Sequence, residues 1–190
     1  VALKTLMSRA LDLARLRGAQ YADIRVVHNR TENISVRDGV VDGLDASETE
    51  GFGVRVLANG AWGFASSGQL NPAEVDLVTD QALQIARASA LVNRQKGDLG
   101  PAVTSQGTYT TPYQTDPFSI SLEDRLAVLL AADAEMAQVQ GLRTRASNLS
   151  LQHEHKYFAN TEGAFIEQNL YEVGGGIQAM AVGNGEVQMR

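Results

Sequence analysis

The sequence predicts an α+β fold of two similar halves, each a helix packed on an antiparallel β-meander, with a second helix in the first half. Three observations predict it. Apolar residues recur at helical spacing in three stretches and alternate with period two in most of the rest. The links between strand stretches are two to four residues long, too short for parallel crossovers. The order of elements in the first half returns in the second.

Residues 2–17 read as an amphipathic helix. Leu3, Leu6, Met7, Ala10, Leu11 and Ala14 form its apolar stripe, and Gly18 is a natural stop. A strand follows, with Ile24, Val26 and His28 on one face. A turn is expected near Arg30-Thr31, then a strand with Ile34 and Val36 inward. Asp38-Gly39 is a hairpin signal. The next strand, VVDGLDASETE, is acidic and reads as irregular.

The stretch GFGVRVLANGAWGFASSGQLNP, Gly51 to Pro72, is the most informative. Val54 and Val56 share a face, with Arg55 on the other. Asn59-Gly60 suits a two-residue type I′ turn, which needs φ > 0 at both central positions. Trp62 and Phe64 alternate on the return strand. Asn71, Pro72 and Glu74 are an N-cap, a first-position proline and an acidic first turn. The helix at 72–92 should bury Val75, Val78, Ala82, Ile85, Ala86 and Ser89.

Residues 93–117 hold three of the four prolines and no period, and read as a linker between a half at 1–92 and a half at 118–190. A third helix is expected over 121–139, capped by Ser121 with Asp124. Leu122, Leu126, Leu129, Leu130 and Met136 form its stripe. Beyond Gly141, RTRASNLSLQHEHKYFAN is a long strand or a hairpin. A turn at Asn160 to Gly163 leads to the strand AFIEQNLYEV. Gly174-Gly175-Gly176 suggests a bend before IQAMAV, and Gly183-Asn184-Gly185 a turn before EVQMR. Gly18, Gly39 and Gly60 correspond to Gly141, Gly163 and Gly185 at offsets of 123, 124 and 125.

Composition narrows the function classes. A net charge of −6 with 16 scattered basic residues argues against a nucleic-acid surface. No apolar run approaches the roughly 20 residues of a membrane span, and nothing near Val1 resembles a secretory segment. There is no cysteine, which excludes disulfides and thiolate chemistry and fits a cytoplasmic location. Val1 is not a start methionine, which suggests a trimmed chain.

Candidate chemistry is sparse. His153-Glu154-His155 fits neither HExxH nor HExxxH, because Tyr157 and Phe158 stand where the second histidine would. On a strand the two histidines share a face about 7 Å apart and could hold a metal only with a third ligand. His28 lies in the other half. Ser66 and Ser67 precede a helix but lack the GxSxG pattern. Glu48/Glu50 and Asp42/Asp45 read as a solvated acidic strand, and no glycine-rich stretch fits a phosphate cradle. No catalytic, cofactor-binding or metal residue is assigned.

EGFGVRVLANGAWGFASSGQL resembles the signature region of the TldD/PmbA family. So do ADIRVVHNRTENISVRDGVVDG, TPYQTDPFSISLEDRLAVLLAAD, KYFANTEGAFIEQ and EVGGGIQAMAV, in that order. The match covers nearly the whole chain and is nearer the TldD branch than the PmbA (TldE) branch. The resemblance implies a zinc metallopeptidase that acts on unfolded peptides or peptide precursors, paired with a TldE/PmbA-like subunit or with itself. It further implies that the HExxxH zinc motif lies C-terminal to Arg190. The chain would then be a non-catalytic N-terminal region, inactive alone, that packs on the partner and shapes the peptide path. The alternative is a non-enzymatic interaction module, acting on gyrase or on a toxin–antitoxin pair.

Overall fold

The computed structural model describes residues 2–92, 97–102, 104–183 and 185–190. The predicted linker therefore includes Asn93 to Lys96 and Val103, and the predicted last turn includes Asn184, all outside the described residues. The first half comprises α1 (Leu3–Leu16), β1 (Tyr21–Arg37), β2 (Val40–Ala58), β3 (Ala61–Ser67) and α2 (Pro72–Ala90). Then come β4 (Gln106–Thr110) and a 3-10 turn at Pro117–Ser119. The second half comprises α3 (Leu122–Ala137), β5 (Leu142–Asn160), β6 (Phe165–Gly183) and β7 (Glu186–Met189).

Helix, long hairpin and short third strand thus occur twice. The six glycines that relate the halves, Gly18, Gly39, Gly60, Gly141, Gly163 and Gly185, all have positive φ. Each ends a helix or closes a turn, where a side chain would be strained. Asp38 and Asn59 also have positive φ, at 49° and 53°, so Asp38-Gly39 and Asn59-Gly60 form the expected primed turns.

The seven strands form one sheet in the order β3-β2-β1-β5-β6-β4, with β7 also on β6. The β2/β3 and β6/β7 pairs are antiparallel. The Thr161 amide donates to the Ala22 carbonyl and the Asp38 amide to the Arg145 carbonyl, both at 2.9 Å, so β1 and β5 also run antiparallel. β4 is the exception: it pairs with β6 in parallel, Gln106 opposite Phe165 to Thr110 opposite Asn169. The connector is therefore not structureless. It carries a strand into the sheet, which its proline content concealed.

Three further expectations are corrected. No turn interrupts the chain at Arg30-Thr31, because β1 is continuous. Its mid-strand polar residues are satisfied from above: Arg30 lies over the Phe118 ring at 4.5 Å, and Glu32 accepts from Arg125 at 2.6 Å. The acidic β2 is regular, and β6 runs straight through Gly174-Gly175-Gly176. Two helix stripes are also rotated. In α2, Thr79 and Leu83 are buried in place of Ile85 and Ser89, because α1 packs on that side. In α3, Leu122 and Leu130 are exposed while Asp133 is buried.

The chain divides into two compact units that cut across the sequence division at 92 and 117, because each long strand contributes to both. One unit comprises Val1–His28, Thr49–Thr110 and Glu154–Asn169. Its core joins Leu6, Met7, Ala10, Ile24, Val54, Val56, Val78 and Leu83. α2 approaches β3 so closely that a Cβ on Gly63 would lie 2.1 Å from the Ala82 carbonyl oxygen. The Asn71 side chain caps α2 by accepting from the Glu74 amide at 3.0 Å. The other unit comprises Asn29–Glu48, Thr111–His153 and Leu170–Arg190. Its core is smaller: Ile34, Val36 and Leu129, with Leu126 and Leu149 packed against them. Ser121 caps α3 by accepting from the Asp124 amide at 3.0 Å. Among the described residues no helix is long and apolar enough to cross a membrane.

Candidate functional site

The best-formed polar cluster lies on the face of the sheet opposite Val54 and Val56. Alternation along β2 buries those valines under the helices and turns Arg55 the other way, as the sequence predicts. Arg55 Nε and Nη2 donate to Asp23 Oδ2 at 2.8 and 2.6 Å. Asp23 is 1% exposed. The guanidinium lies over Trp62 at 4.7 Å, and Tyr21 meets Trp62 edge-on at 5.8 Å. Burial works against the Arg55 cation, but the hydrogen bonds and charge of Asp23 outweigh it and hold its pKa above the usual value. Burial, then the Asp23 charge, raises the Tyr21 phenol. Gly97 closes over this cluster. Its amide donates to the Gly60 carbonyl at 2.8 Å, and a Cβ there would lie 3.1 Å from Trp62 Nε1.

In the same unit, His155 Nε2 sits 2.9 Å from Glu167 Oε1. Tyr157 hydrogen-bonds the same carboxylate. Burial, then Glu167, raises the Tyr157 phenol. In the other unit, His153 stacks on Tyr171 at 4.1 Å, with Phe118 and Tyr113 around Tyr171. Burial pushes the Glu32 carboxyl up, but its hydrogen bonds to Arg125 and Arg30 prevail and hold its pKa below the usual value. A 310 Å³ cavity beside it is lined by Arg30, Thr31, Glu32, Ala46, Ser47 and Glu48.

The two strand histidines are thus each taken into a separate cluster. Ser67 is engaged locally, its Oγ accepting from the Gln69 amide at 3.1 Å. Asp42 pairs with Arg37 at the surface. Among the described residues, no three of His, Asp and Glu come together to hold a metal. A carboxylate such as Glu167, held by a histidine and a tyrosine, orients side chains but offers no ligand set. Sequence reasoning missed the Asp23–Arg55 pair; the alternation that put both residues on one face was its only signal.

These features define a duplicated α+β module with separate polar and aromatic clusters in its two units. The domain 1 description of the PmbA/TldA metallopeptidases matches residues 22–86, and their central-domain description matches residues 115–190. The chain belongs to the PmbA/TldD family. It is 21% identical over 168 residues to a metalloprotease of Methanocaldococcus jannaschii, covering 88% of this chain and 37% of that protein. It is 28% identical over 149 residues to a metalloprotease of Methanothermobacter thermautotrophicus, covering 78% of this chain and 31% of that one. In fold it is similar to a crystal structure from Bacteroides thetaiotaomicron described as a candidate modulator of DNA gyrase. That TM-score is 0.77 at 18% identity, over 96% of this chain and 42% of the other. TldE from Thermococcus kodakarensis matches with a TM-score of 0.58 at 14% identity, over 98% and 41%. The chain thus spans about a third of the curated relatives and two fifths of the solved ones.

Proposed function

We propose that this chain is the non-catalytic N-terminal region of a cytoplasmic zinc metallopeptidase that acts on unfolded peptides or peptide precursors. The observation that carries the reading is the pair of domain matches at 22–86 and 115–190, in a chain spanning about a third of two metalloproteases. The zinc ligands belong to residues outside those described, so no step of hydrolysis is derived from the residues here. In the whole protein the metal would supply an activated water. The role of this region is to pack against a TldE-like subunit or a second copy and to wall the peptide path.

β3 supports a direct part in that path. It ends the sheet, and Ala61–Ser67 contains no charge and no proline, the usual protections of an exposed edge. In a two-residue hairpin closed by Ala58 and Ala61, the backbone groups of Trp62, Phe64 and Ser66 point outward. An extended peptide can add there as a further strand. The test uses the full-length protein with a photoreactive unfolded peptide. Cross-links at β3, together with chelator-sensitive cleavage, are expected. Cross-links confined to the rest of the protein remove this region from the path, and cleavage by the 190-residue chain alone with zinc overturns its non-catalytic role.

A second reading rests on the Bacteroides thetaiotaomicron structure described as a candidate gyrase modulator: a non-enzymatic interaction module. A full-length protein that binds a partner but cleaves no peptide would favour it.

A further inference from the structure

α2 has two flanks. The inner one meets α1: Thr79 and Leu83 are buried, Arg9 donates to both carboxylate oxygens of Asp76 at 2.6 Å, and Asp80 pairs with Arg17. α1 lies toward the middle of the sheet, where its Lys4 sits over the Phe165 ring of β6 at 5.0 Å. α2 also docks on β3, the end strand, so its outer flank overhangs the free edge. Gly63 brings the two together, because Ala82 and Ala86 leave no room for a side chain there.

Glu74, Gln81, Ile85 and Ala88 recur at helical spacing on the outer flank, opposite Leu83. Ile85 fits the core by its period, yet is 45% exposed. On the other face of β3, Phe64 is 57% exposed. The outward amides and carbonyls of Trp62, Phe64 and Ser66 therefore run between two open apolar side chains. An extended peptide added to that edge alternates its side chains between the two faces. One set falls beside Gly63 and Ala65, which are small, and under Ile85. The other set falls beside Trp62 and Phe64.

The charge of this slot is one-sided. Ala61–Ser67 carries none, and Gln81, Ile85 and Ala88 add none. Glu74 stands at the end where β3 leads into α2. A peptide carboxylate facing α2 would lose water against Ile85 without a cation to receive it, and Glu74 would repel it. We propose that Ile85 determines which peptides this edge accepts: uncharged, apolar side chains at the alternate positions that face α2, and no carboxylate there. This inference rests on the proposed addition of substrate at β3 and names the side chains that the edge selects.

The test uses the full-length protein and two unfolded peptides that differ only at alternate positions, valine in one and aspartate in the other. Chelator-sensitive cleavage is expected to have about tenfold higher kcat/KM for the valine peptide, through KM. Ile85→Lys, or Gln81→Lys if the first fails to fold, is expected to lower that value and to raise it for the aspartate peptide. Equal cleavage of the two peptides by the parent overturns the inference, and so does a variant that keeps the parent's preference. If neither peptide is cleaved, the peptidase reading fails instead, and fluorescence anisotropy with the same peptides, dye-labelled, decides this one. Tighter binding of the valine peptide, lost in Ile85→Lys, sustains it; no preference, or one that the variant keeps, overturns it.

Discussion

α1 and α3 begin the two halves of a duplicated chain, yet they are finished differently. α1 buries Leu6, Met7, Ala10, Leu11 and Ala14 between a sheet and a neighbouring helix, and its outward residues are polar or charged apart from Leu16. α3 buries Leu129, Asp133 and Met136 and leaves Val128 and Leu130 in solvent. Duplicated backbones therefore do not imply duplicated surfaces. Each helix surface reflects the neighbours it packs against among the described residues.

The largest expected effect tests the tight docking of the first half. In Gly63→Ala the new Cβ meets α2 backbone at Ala82 and Ala86, which cannot move without lifting the helix. A loss of about 3 kcal/mol or more is expected from urea unfolding. Gly183→Ala in the second half, where no described residue beyond its chain neighbours lies within 4 Å, should stay within about 0.5 kcal/mol. Equal losses would mean that the halves are packed alike.

Next come the two buried carboxylates. Asp23→Ala strands Arg55, whose bonds to Asp23 are 2.6 and 2.8 Å. Because that guanidinium is partly exposed, the loss is about 2–3 kcal/mol rather than the larger value for a sealed pair. Asp133→Ala breaks longer contacts to Arg145, 3.2 and 3.3 Å, and should cost about 1–2 kcal/mol. Thermal midpoints showing the reverse order would undo the ranking.

Glu32→Gln probes the second half through pH. The folded-state pKa of Glu32 is lowered, so its contribution is complete above the ordinary glutamate pKa and is lost as pH falls through the depressed value. The variant should be about 1–2 kcal/mol less stable at pH 7, and the gap should narrow as pH falls below the ordinary glutamate pKa. A gap independent of pH would assign Glu32 a packing role instead. The smallest effect is expected for Arg9→Ala, which removes a solvent-exposed pair with Asp76 and should leave the unfolding midpoint unresolved from the parent.

Local chemistry made much of this fold legible. Asn59-Gly60 and Asp38-Gly39 turn as their residues demand, and Asn71 and Ser121 cap the helices they precede. What escaped was decided at long range. Nothing near Arg30 and Glu32 in sequence reveals that Phe118 will meet the first and Arg125 the second and let β1 run on. Ile85 fits the helical period of α2 as well as Leu83 does, and only the position of α1 chooses between them. Gln106–Thr110 has no period and few apolar residues, and becomes a strand because β6 offers an edge. The Asp23–Arg55 pair joins residues 32 positions apart, and only the β1/β2 pairing brings them together.

The parallel pairing of β4 with β6 also bears on how the protein is made. The unit that holds α1 and α2 includes Glu154–Asn169. Its last strand pairing cannot form until Asn169 has been synthesised, 59 residues after Thr110. At about 5–20 residues per second, the nascent chain waits about 3–12 s with β4 unpaired. During that interval the first half depends on chaperones or on speed, and synonymous codons that slow translation between Thr111 and Asn169 should lower the yield of soluble protein without altering a single side chain.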